Sequence, residues 1–122
     1  TCCQELSDDA ALSTERTPFQ EQLLAMHRDG ITAIIAENDR IAELIFLACR
    51  TIGLRIPEDF CLCGFDDTNV SRSLGITSIH QDFAGIGREV GRVLLAALEN
   101  PAAEAEKIIL PVTLVPRSSS LR

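Results

Sequence analysis

The sequence predicts an α/β protein built on a parallel, doubly wound sheet. Two short apolar runs flank a stripe of helical spacing, and the links between them are short. A strand, a helix and a second strand joined in this way form a βαβ unit, in which the two strands lie parallel. The chain has 122 residues, of which 46% are apolar, and this suffices for one small domain with a core.

The N-terminal part predicts a loop, a helix and a strand. Residues 7–18 are polar and predict a loop. A helix is predicted over 18–28, because Pro18 suits the first helical position and Asp29-Gly30 ends the pattern. The apolar run over 31–36 predicts a short buried strand.

Apolar residues at helical spacing predict the central helix. Asn38 and Asp39 can both cap its first turn, and Gly53 is typical of a helix C-terminus. A second buried strand is predicted over 60–65, after a connector at 55–59. The helical stripe is formed by Ile41, Leu44, Ile45, Ala48, Cys49 and Ile52.

The C-terminal part predicts three further elements. A strand is predicted over 77–81, and a helix with one apolar face over 83–99. The stretch 108–115 predicts a last extended segment, and the polar tail at 118–122 is expected to be mobile.

Composition excludes several classes of protein. The formal charge is −7 and the pI is about 4.7, which is the wrong sign for binding nucleic-acid phosphates directly. No run of eighteen apolar residues is present, so we expect no membrane span. The first residues, TCCQELSDD, lack the pattern of a signal peptide, and a cytoplasmic protein is expected.

Five cysteines raise the question of a thiolate metal site: Cys2, Cys3, Cys49, Cys61 and Cys63. An odd number leaves at least one thiol without an intrachain disulfide. Cys61 and Cys63 should face the same side of a strand, but no Cys-x-x-Cys or histidine pair completes a zinc set. Reduced core cysteines are the preferred interpretation, and no metal or cofactor is predicted.

Polar residues follow the predicted strands at their carboxyl ends. Asn38 follows the first strand, Asp66 the second, and Gln81 with Phe83 the third. In parallel α/β sheets, ligands bind at this edge. The sequence therefore predicts a small-molecule site there.

Catalytic interpretations of the same region are weaker. Asp66 and Asp67 could form a carboxylate pair, or a divalent-metal cluster with Asp82, and His80 lies nearby. The alternative is that these groups bond a polar ligand or the ends of strands and helices. No Ser-His-Asp order and no phosphate loop are present, so we expect no enzyme and no catalytic residue.

One glycine pattern resembles a dinucleotide-binding fingerprint. Residues 85–91 read GIGREVG, but these glycines fall inside a helical pattern rather than in the turn after a buried strand. An acidic ribose partner would be Glu104 or Glu106, in a polar link. Close helix packing is the better account of the small residues.

Several motifs together resemble the C-terminal part of the LacI/GalR family of transcriptional repressors. They are ND opening a helix, then GLRIPED, GFDD, TSIHQDF and LPVTLVPRSS, in this order along the chain. The resemblance implies a periplasmic-binding-protein-like domain, in which two α/β subdomains close over a small ligand. On this basis, 1–80 belongs to the C-terminal subdomain, 81–106 is a crossover segment with its helix, and 107–122 is a C-terminal strand and tail.

The resemblance also implies ligand contacts and partners. Asn38 matches an amide that bonds sugar hydroxyls, Asp66 a carboxylate that accepts from them, Gln81 a polar contact at the hinge, and Phe83 an aromatic that packs on the ligand. Asp67 and Asp39 are expected to be structural, as a turn former and a helix cap. The implied effector is a small molecule such as a sugar, and DNA is contacted only through a head domain that this chain lacks. A fragment of a periplasmic sugar-binding transport protein is the alternative.

The family's first strand of this subdomain is also missing, if the resemblance holds. The segment 1–6 would then lose its partner, the strand at 31–36 would expose an edge, and the helix at 83–99 would lose its cover. We therefore expect a homodimer, with exchange of residues 83–117 between protomers as one route. A monomer with this segment folded on its own sheet is the alternative.

Overall fold

The computed structural model describes residues 16–100 and 106–121. Eight elements follow one another along these residues. They are α1 (Pro18–Arg28), β1 (Ala33–Ile35), α2 (Asp39–Thr51), β2 (Cys61–Phe65), α3 (Asn69–Leu74), β3 (Thr77–Gln81), α4 (Phe83–Glu99) and β4 (Val112–Val115).

The four strands form one sheet in the order β1-β2-β3-β4. The first three are parallel, which confirms the predicted βαβ unit and parallel sheet. The fourth strand pairs antiparallel with β3, with Val112 opposite Gln81, so a purely parallel sheet is wrong at this position. The reason is the connection: the chain leaves β3 through α4 and comes back along β3 in the opposite direction.

Local sequence signals account for the first two helices. Thr17 accepts a hydrogen bond from the Gln20 backbone, and the Gln20 side chain accepts one from the Thr17 backbone, which together make a capping box in front of Pro18. Asn38 caps α2 through a hydrogen bond that Ile41 donates. Gly53, at φ +81°, follows the end of α2 in the left-handed region that favours glycine.

The core lies between the sheet and the helices on one of its faces. The fully buried residues include Phe60 just before β2, Leu62 in β2, and Ala42 and Cys49 from α2. Gly64 brings the middle of β2 against α2: a Cβ atom there would lie 3.2 Å from Cβ of Ala42. The close approach of helix and strand therefore depends on this glycine.

Helix α4 contributes little to this core. Of its 17 residues only Gly85 is buried, while Val90, Leu94 and Leu98 are each more than half exposed. The predicted bounds of the helix and its uncovered apolar face are both confirmed. The glycines of the GIGREVG pattern lie inside α4, as predicted, but a Cβ atom at Gly87 or Gly91 would meet nothing within 4 Å, so the described residues show no close packing at these two positions.

Three further differences from the sequence predictions have simple physical causes. The strand predicted at 31–36 is only three residues long, and Ile35 is 79% exposed rather than buried, because only β2 pairs with β1 among the described strands. The exposed edge itself agrees with the expectation drawn from the family resemblance. Residues 108–111 are not strand, and the strand is confined to β4. Helix α3 was not predicted, since six residues are too few to show a periodic pattern.

The expectation that the tail at 118–122 is mobile is wrong for its described part. Ser119 is 1% exposed and its hydroxyl donates to the carbonyl of Leu62 at 2.6 Å, while the Thr77 N–H donates to that hydroxyl at 2.8 Å. Its carbonyl also accepts from the Leu62 N–H at 2.8 Å. The tail is held in place by polar bonds to β2 and β3, which a count of apolar residues does not detect. The predicted role of residues 1–6 lies outside the described residues.

Candidate functional site

Asp66 and Gln81 meet at the carboxyl edge of the sheet. Asp66 follows β2 directly and Gln81 ends β3, and the two strands are parallel neighbours. The Gln81 side-chain amide donates to Oδ1 of Asp66 at 2.8 Å. From the described residues, Oδ2 of Asp66 and Oε1 of Gln81 accept no hydrogen bond, so this pair offers acceptors to a ligand.

Asn38 presents a donor at the neighbouring strand end. It lies between β1 and α2, and its Oδ1 accepts the Ile41 N–H at 2.9 Å. Because a backbone N–H can only donate, this bond fixes the orientation of the side-chain amide. The Nδ2 group of Asn38 has no protein partner within the described part of the chain, and it is left as a donor.

Phe83 supplies an exposed aromatic surface just after the end of β3. It is the first residue of α4, two positions after Gln81, and is 57% exposed. Asp82 caps the helix by accepting the Gly85 N–H at 2.9 Å. The end of β3 and the Asp82 cap therefore fix the backbone position of Phe83.

The four residues named from the sequence thus follow three neighbouring strands at one edge of the sheet. Of these, the structure joins Asp66 and Gln81 by a direct hydrogen bond, and it records no direct contact of Asn38 or Phe83 with that pair. Carboxylate and amide oxygens, an amide donor and an aromatic face together suit a neutral ligand that carries hydroxyl groups.

Asp67, next to Asp66, has a structural role instead. Its side chain is 7% exposed and pairs with Arg72 at 2.9 Å, with the Arg117 guanidinium and with Nδ1 of His80 at 3.2 Å. The hydrogen bond from Arg72, together with one from Arg117 and the charges of both arginines, lowers the pKa of the Asp67 carboxyl from 3.8 to about 2, against the opposing effect of burial. Asp67 does lie in the turn after β2, with φ 52°, in keeping with its predicted role as a turn former, whereas its contacts with the two arginines were not predicted.

The lowered pKa of Asp67 predicts acid sensitivity. A carboxyl whose pKa is lower in the folded chain adds stability above its unfolded pKa, and that stability is lost as pH falls through the folded pKa. We expect Asp67→Asn to flatten the decline in stability between pH 4 and pH 2, the window set by the two pKa values. Urea unfolding across this window, with exposed Asp29→Asn as the control, checks this expectation. Equal slopes in both variants would contradict it.

Asp39 ties α2 to the loop before α3 and to β3. It is 1% exposed, accepts from the Ser78 hydroxyl at 2.6 Å, and accepts from both the N–H and the hydroxyl of Thr68, at 2.6 and 3.0 Å. Burial by itself would raise the pKa of Asp39, but these hydrogen bonds outweigh it and the pKa is lowered. The prediction that Asp39 caps the helix is wrong, because Asn38 makes that bond and leaves Asp39 free to turn inward.

In the described residues, Asp66, Asp67 and Asp82 do not form the carboxylate pair or metal cluster that was considered as an alternative. Asp66 bonds Gln81, Asp67 bonds arginines and Asp82 caps α4, so the three carboxylates take separate partners. Within 16–100 and 106–121, no three His, Cys, Asp or Glu side chains are grouped to hold a metal ion.

The described cysteines are free thiols. Burial raises the pKa of the Cys49 thiol to about 11 and that of Cys63 above its usual value. Both thiols are therefore protonated at neutral pH, which does not suit nucleophiles. The expectation of core cysteines holds for Cys49 alone, because Cys61 and Cys63 are only partly buried. Cys2 and Cys3 lie outside the described residues.

Sequence reasoning did not assign a role to Arg117, Ser119 or Ser78. These residues hold the strand ends from a distance: the Ser78 hydroxyl accepts the Asp67 N–H at 3.0 Å, and Arg117 reaches the Asp67 carboxylate. The one available signal was the LPVTLVPRSS motif, which contains Arg117 and Ser119 but does not indicate what they contact.

A separate apolar groove lies between α4 and the segment 106–110. It has a volume of about 640 Å³ and reaches Gln81, but it includes none of Asn38, Asp66 and Phe83. Its lining includes Val90 and Leu94, so it belongs to the uncovered face of α4 and not to the polar edge.

In the described residues, no helix is both long and apolar enough to cross a bilayer.

Comparison with known proteins identifies the domain. The family described as "Periplasmic binding protein-like domain" matches residues 3–120. The lactose operon repressor of Escherichia coli is 33% identical over 105 residues, which are 83% of this chain and 29% of the repressor. This chain thus spans about three-tenths of the length of that relative.

Two solved structures are similar in fold as well as sequence. A LacI family transcriptional regulator from Enterococcus faecalis with bound ribose has a TM-score of 0.74 at 28% identity, over 88% of this chain and 41% of that chain. A dimeric lac repressor with a C-terminal deletion has a TM-score of 0.68 at 34% identity, over 83% of this chain and 38% of that chain. This chain belongs to the periplasmic binding protein-like domain family, and its sequence and fold are similar to those of LacI-type transcriptional regulators.

Proposed function

We propose that this chain is the ligand-sensing part of a transcriptional regulator and that it binds a sugar-like effector through Asn38, Asp66, Gln81 and Phe83. The observation that carries the proposal is the set of unused hydrogen-bonding groups at one sheet edge, next to an exposed ring. A related regulator was solved with ribose, which supports a sugar as the ligand class. The function is binding, without catalysis.

The effector acts in this proposal by changing the protein's affinity for DNA. A ligand shifts a conformational equilibrium only by binding one state more tightly, and the coupling between effector and operator is reciprocal. Gln81 and Phe83 lie where the chain passes from β3 into α4, and so they are placed to respond to closure of two subdomains. DNA is contacted by a separate head domain, in the cytoplasm.

A homodimer is the proposed assembly. The apolar face of α4 and the exposed edge at β1 both favour burial against further protein, and a related lac repressor is dimeric. In the described chain, β4 pairs with β3 of the same chain, and exchange of 83–117 between two chains stays a prediction. A periplasmic transport protein, the alternative, has no observation in its favour among these relatives.

Removing the Asp66 carboxylate is expected to weaken effector binding. Asp66→Ala should lose about 1.5–3 kcal/mol of binding free energy, the range for a hydrogen bond to a charged group. Calorimetry on the full-length protein with ribose and a panel of mono- and disaccharides measures this loss. Exposed Asp29→Ala is the matched control, since it removes a carboxylate at the far end of α1. Unchanged sugar affinity in Asp66→Ala would remove Asp66 from the site.

A further inference from the structure

Asp66, the carboxylate of the proposed ligand site, has an unusual backbone conformation. Asp66 has φ 102° and Asp67 has φ 52°, two consecutive positive values at residues that are not glycine. Residues other than glycine rarely adopt positive φ values, and such backbone conformations persist where the surrounding contacts hold them in place. The position of the Asp66 carboxylate therefore depends on what holds this turn.

The contacts that hold the turn come mainly from Asp67. The Asp66 N–H donates to the Ile79 carbonyl at 2.8 Å, which continues the ladder between β2 and β3 for one residue. The Asp67 N–H donates to the Ser78 hydroxyl at 3.0 Å. The Asp67 carboxylate is then fixed by Arg72 and Arg117.

Arg117 is the better held of these two arginines. Its side chain is 17% exposed, against 53% for Arg72. Its Nη1 donates to the Ile76 carbonyl at 2.8 Å while Nη2 reaches Asp67, and its backbone N–H donates to the Thr77 hydroxyl at 2.7 Å. The guanidinium fork thus spans from the start of β3 to the turn after β2, and a planar fork is well suited to this.

We propose that Arg117 is a positioning residue of the effector site: it holds Asp67, and through Asp67 it keeps Asp66 in the geometry that accepts hydroxyl groups. The segment after β4 thereby becomes part of the ligand site without touching the ligand. The ligand part of this inference rests on the proposed function, whereas the placement of Asp66 is open to a test without ligand.

The test compares two residues of the same segment. Arg117→Ala removes the contact to Asp67, and Ser119→Ala removes buried bonds to Leu62 and Thr77 but leaves that contact in place. Both variants should lose stability, so a larger loss of sugar affinity in Arg117→Ala than in Ser119→Ala would indicate a specific role of Arg117. Arg117→Lys keeps the charge but not the fork, and it should restore part of the loss.

Calorimetry on the full-length protein, at a temperature where every variant is folded, uses the sugar from the panel that the wild type binds best. We expect Arg117→Ala to raise Kd about tenfold, or about 1.4 kcal/mol. Ser119→Ala should stay within about twofold of the wild type. Equal losses in the two variants would overturn the proposal, because the effect would then follow stability alone.

Hydrogen exchange supplies the readout that needs no sugar. In Arg117→Ala the Asp66 amide should exchange about tenfold faster than in Ser119→Ala. The Ala36 amide, which donates to the Cys63 carbonyl, should exchange at the same rate in both variants. If the wild type binds none of the sugars, the proposed function fails and this exchange pattern alone decides the positioning role. Unchanged exchange at Asp66 would then refute it.

Discussion

Replacing Asp39 by alanine is expected to lower the free energy of unfolding by about 3 kcal/mol. The buried carboxylate accepts hydrogen bonds from Ser78 and from two groups of Thr68, and bonds to a charged acceptor contribute about 1.5–3 kcal/mol each without adding fully. Without Asp39, the Ser78 hydroxyl loses its acceptor in a buried position. The helix α2 also loses an acidic residue in its first turn.

Urea unfolding of the wild type and the variant measures this loss. The exposed carboxylate Asp29 gives the matched control, and Asp29→Ala should change stability by less than about 0.5 kcal/mol. Asp39→Asn separates charge from hydrogen bonding, since it keeps an acceptor of the same shape. A loss below about 1 kcal/mol in Asp39→Ala would mean that water or a neighbouring group replaces the carboxylate.

A single methyl group at Gly64 is expected to cost about 3 kcal/mol or more. A Cβ atom there would meet Oδ1 of Asp39 at a distance that nonbonded atoms do not reach, and it would lie 3.2 Å from Cβ of Ala42. Overpacking a core costs about 1–3 kcal/mol, and here it also pushes Asp39 off its partners. The matched control is Gly91→Ala on α4, where an added Cβ meets nothing within 4 Å.

The two substitutions should not be additive. Once Asp39 is alanine, the atom that collides with a Cβ at Gly64 is gone, so Gly64→Ala should cost at least 1 kcal/mol less in that background, within the usual range for coupled neighbours. A double-mutant cycle by urea unfolding measures the coupling. If the two losses simply add, the contact between Gly64 and Asp39 is not what limits this position.

Sequence reasoning succeeded where the signal is local. The apolar stripe and the Asn38 cap placed α2, and the apolar run at 60–65 placed β2, because helix and strand periods are written in neighbouring residues. Asn38, Asp66 and Gln81 could be named because parallel strands end at a common edge. Their use as ligand contacts stays a prediction.

Sequence reasoning failed where the partner is distant in the chain. Arg117 contacts Asp67 from 50 residues away, and Ser119 contacts Leu62 from 57 residues away. No local pattern marks such pairs, and for that reason the polar tail predicts mobility from its sequence alone. The apolar run at 31–36 alone predicts a buried strand, which is wrong for Ile35, whereas the family resemblance predicts the exposed edge that the structure has there.

The anchoring of the C-terminal segment has a consequence for biosynthesis. Domains fold during translation from the N-terminus onward, at a synthesis rate of about 5–20 residues per second. A nascent chain that has reached residue 110 already contains β2, β3 and the turn at Asp66, but it lacks the Arg117 side chain and the Ser119 bonds that hold them. Closing such distant contacts is slow relative to forming a local helix. The polar edge at Asp66 and Gln81 thus gains these contacts only after residues 117 and 119 have been synthesised, and a translation product truncated before them carries Asp66 without the Arg117 and Ser119 bonds.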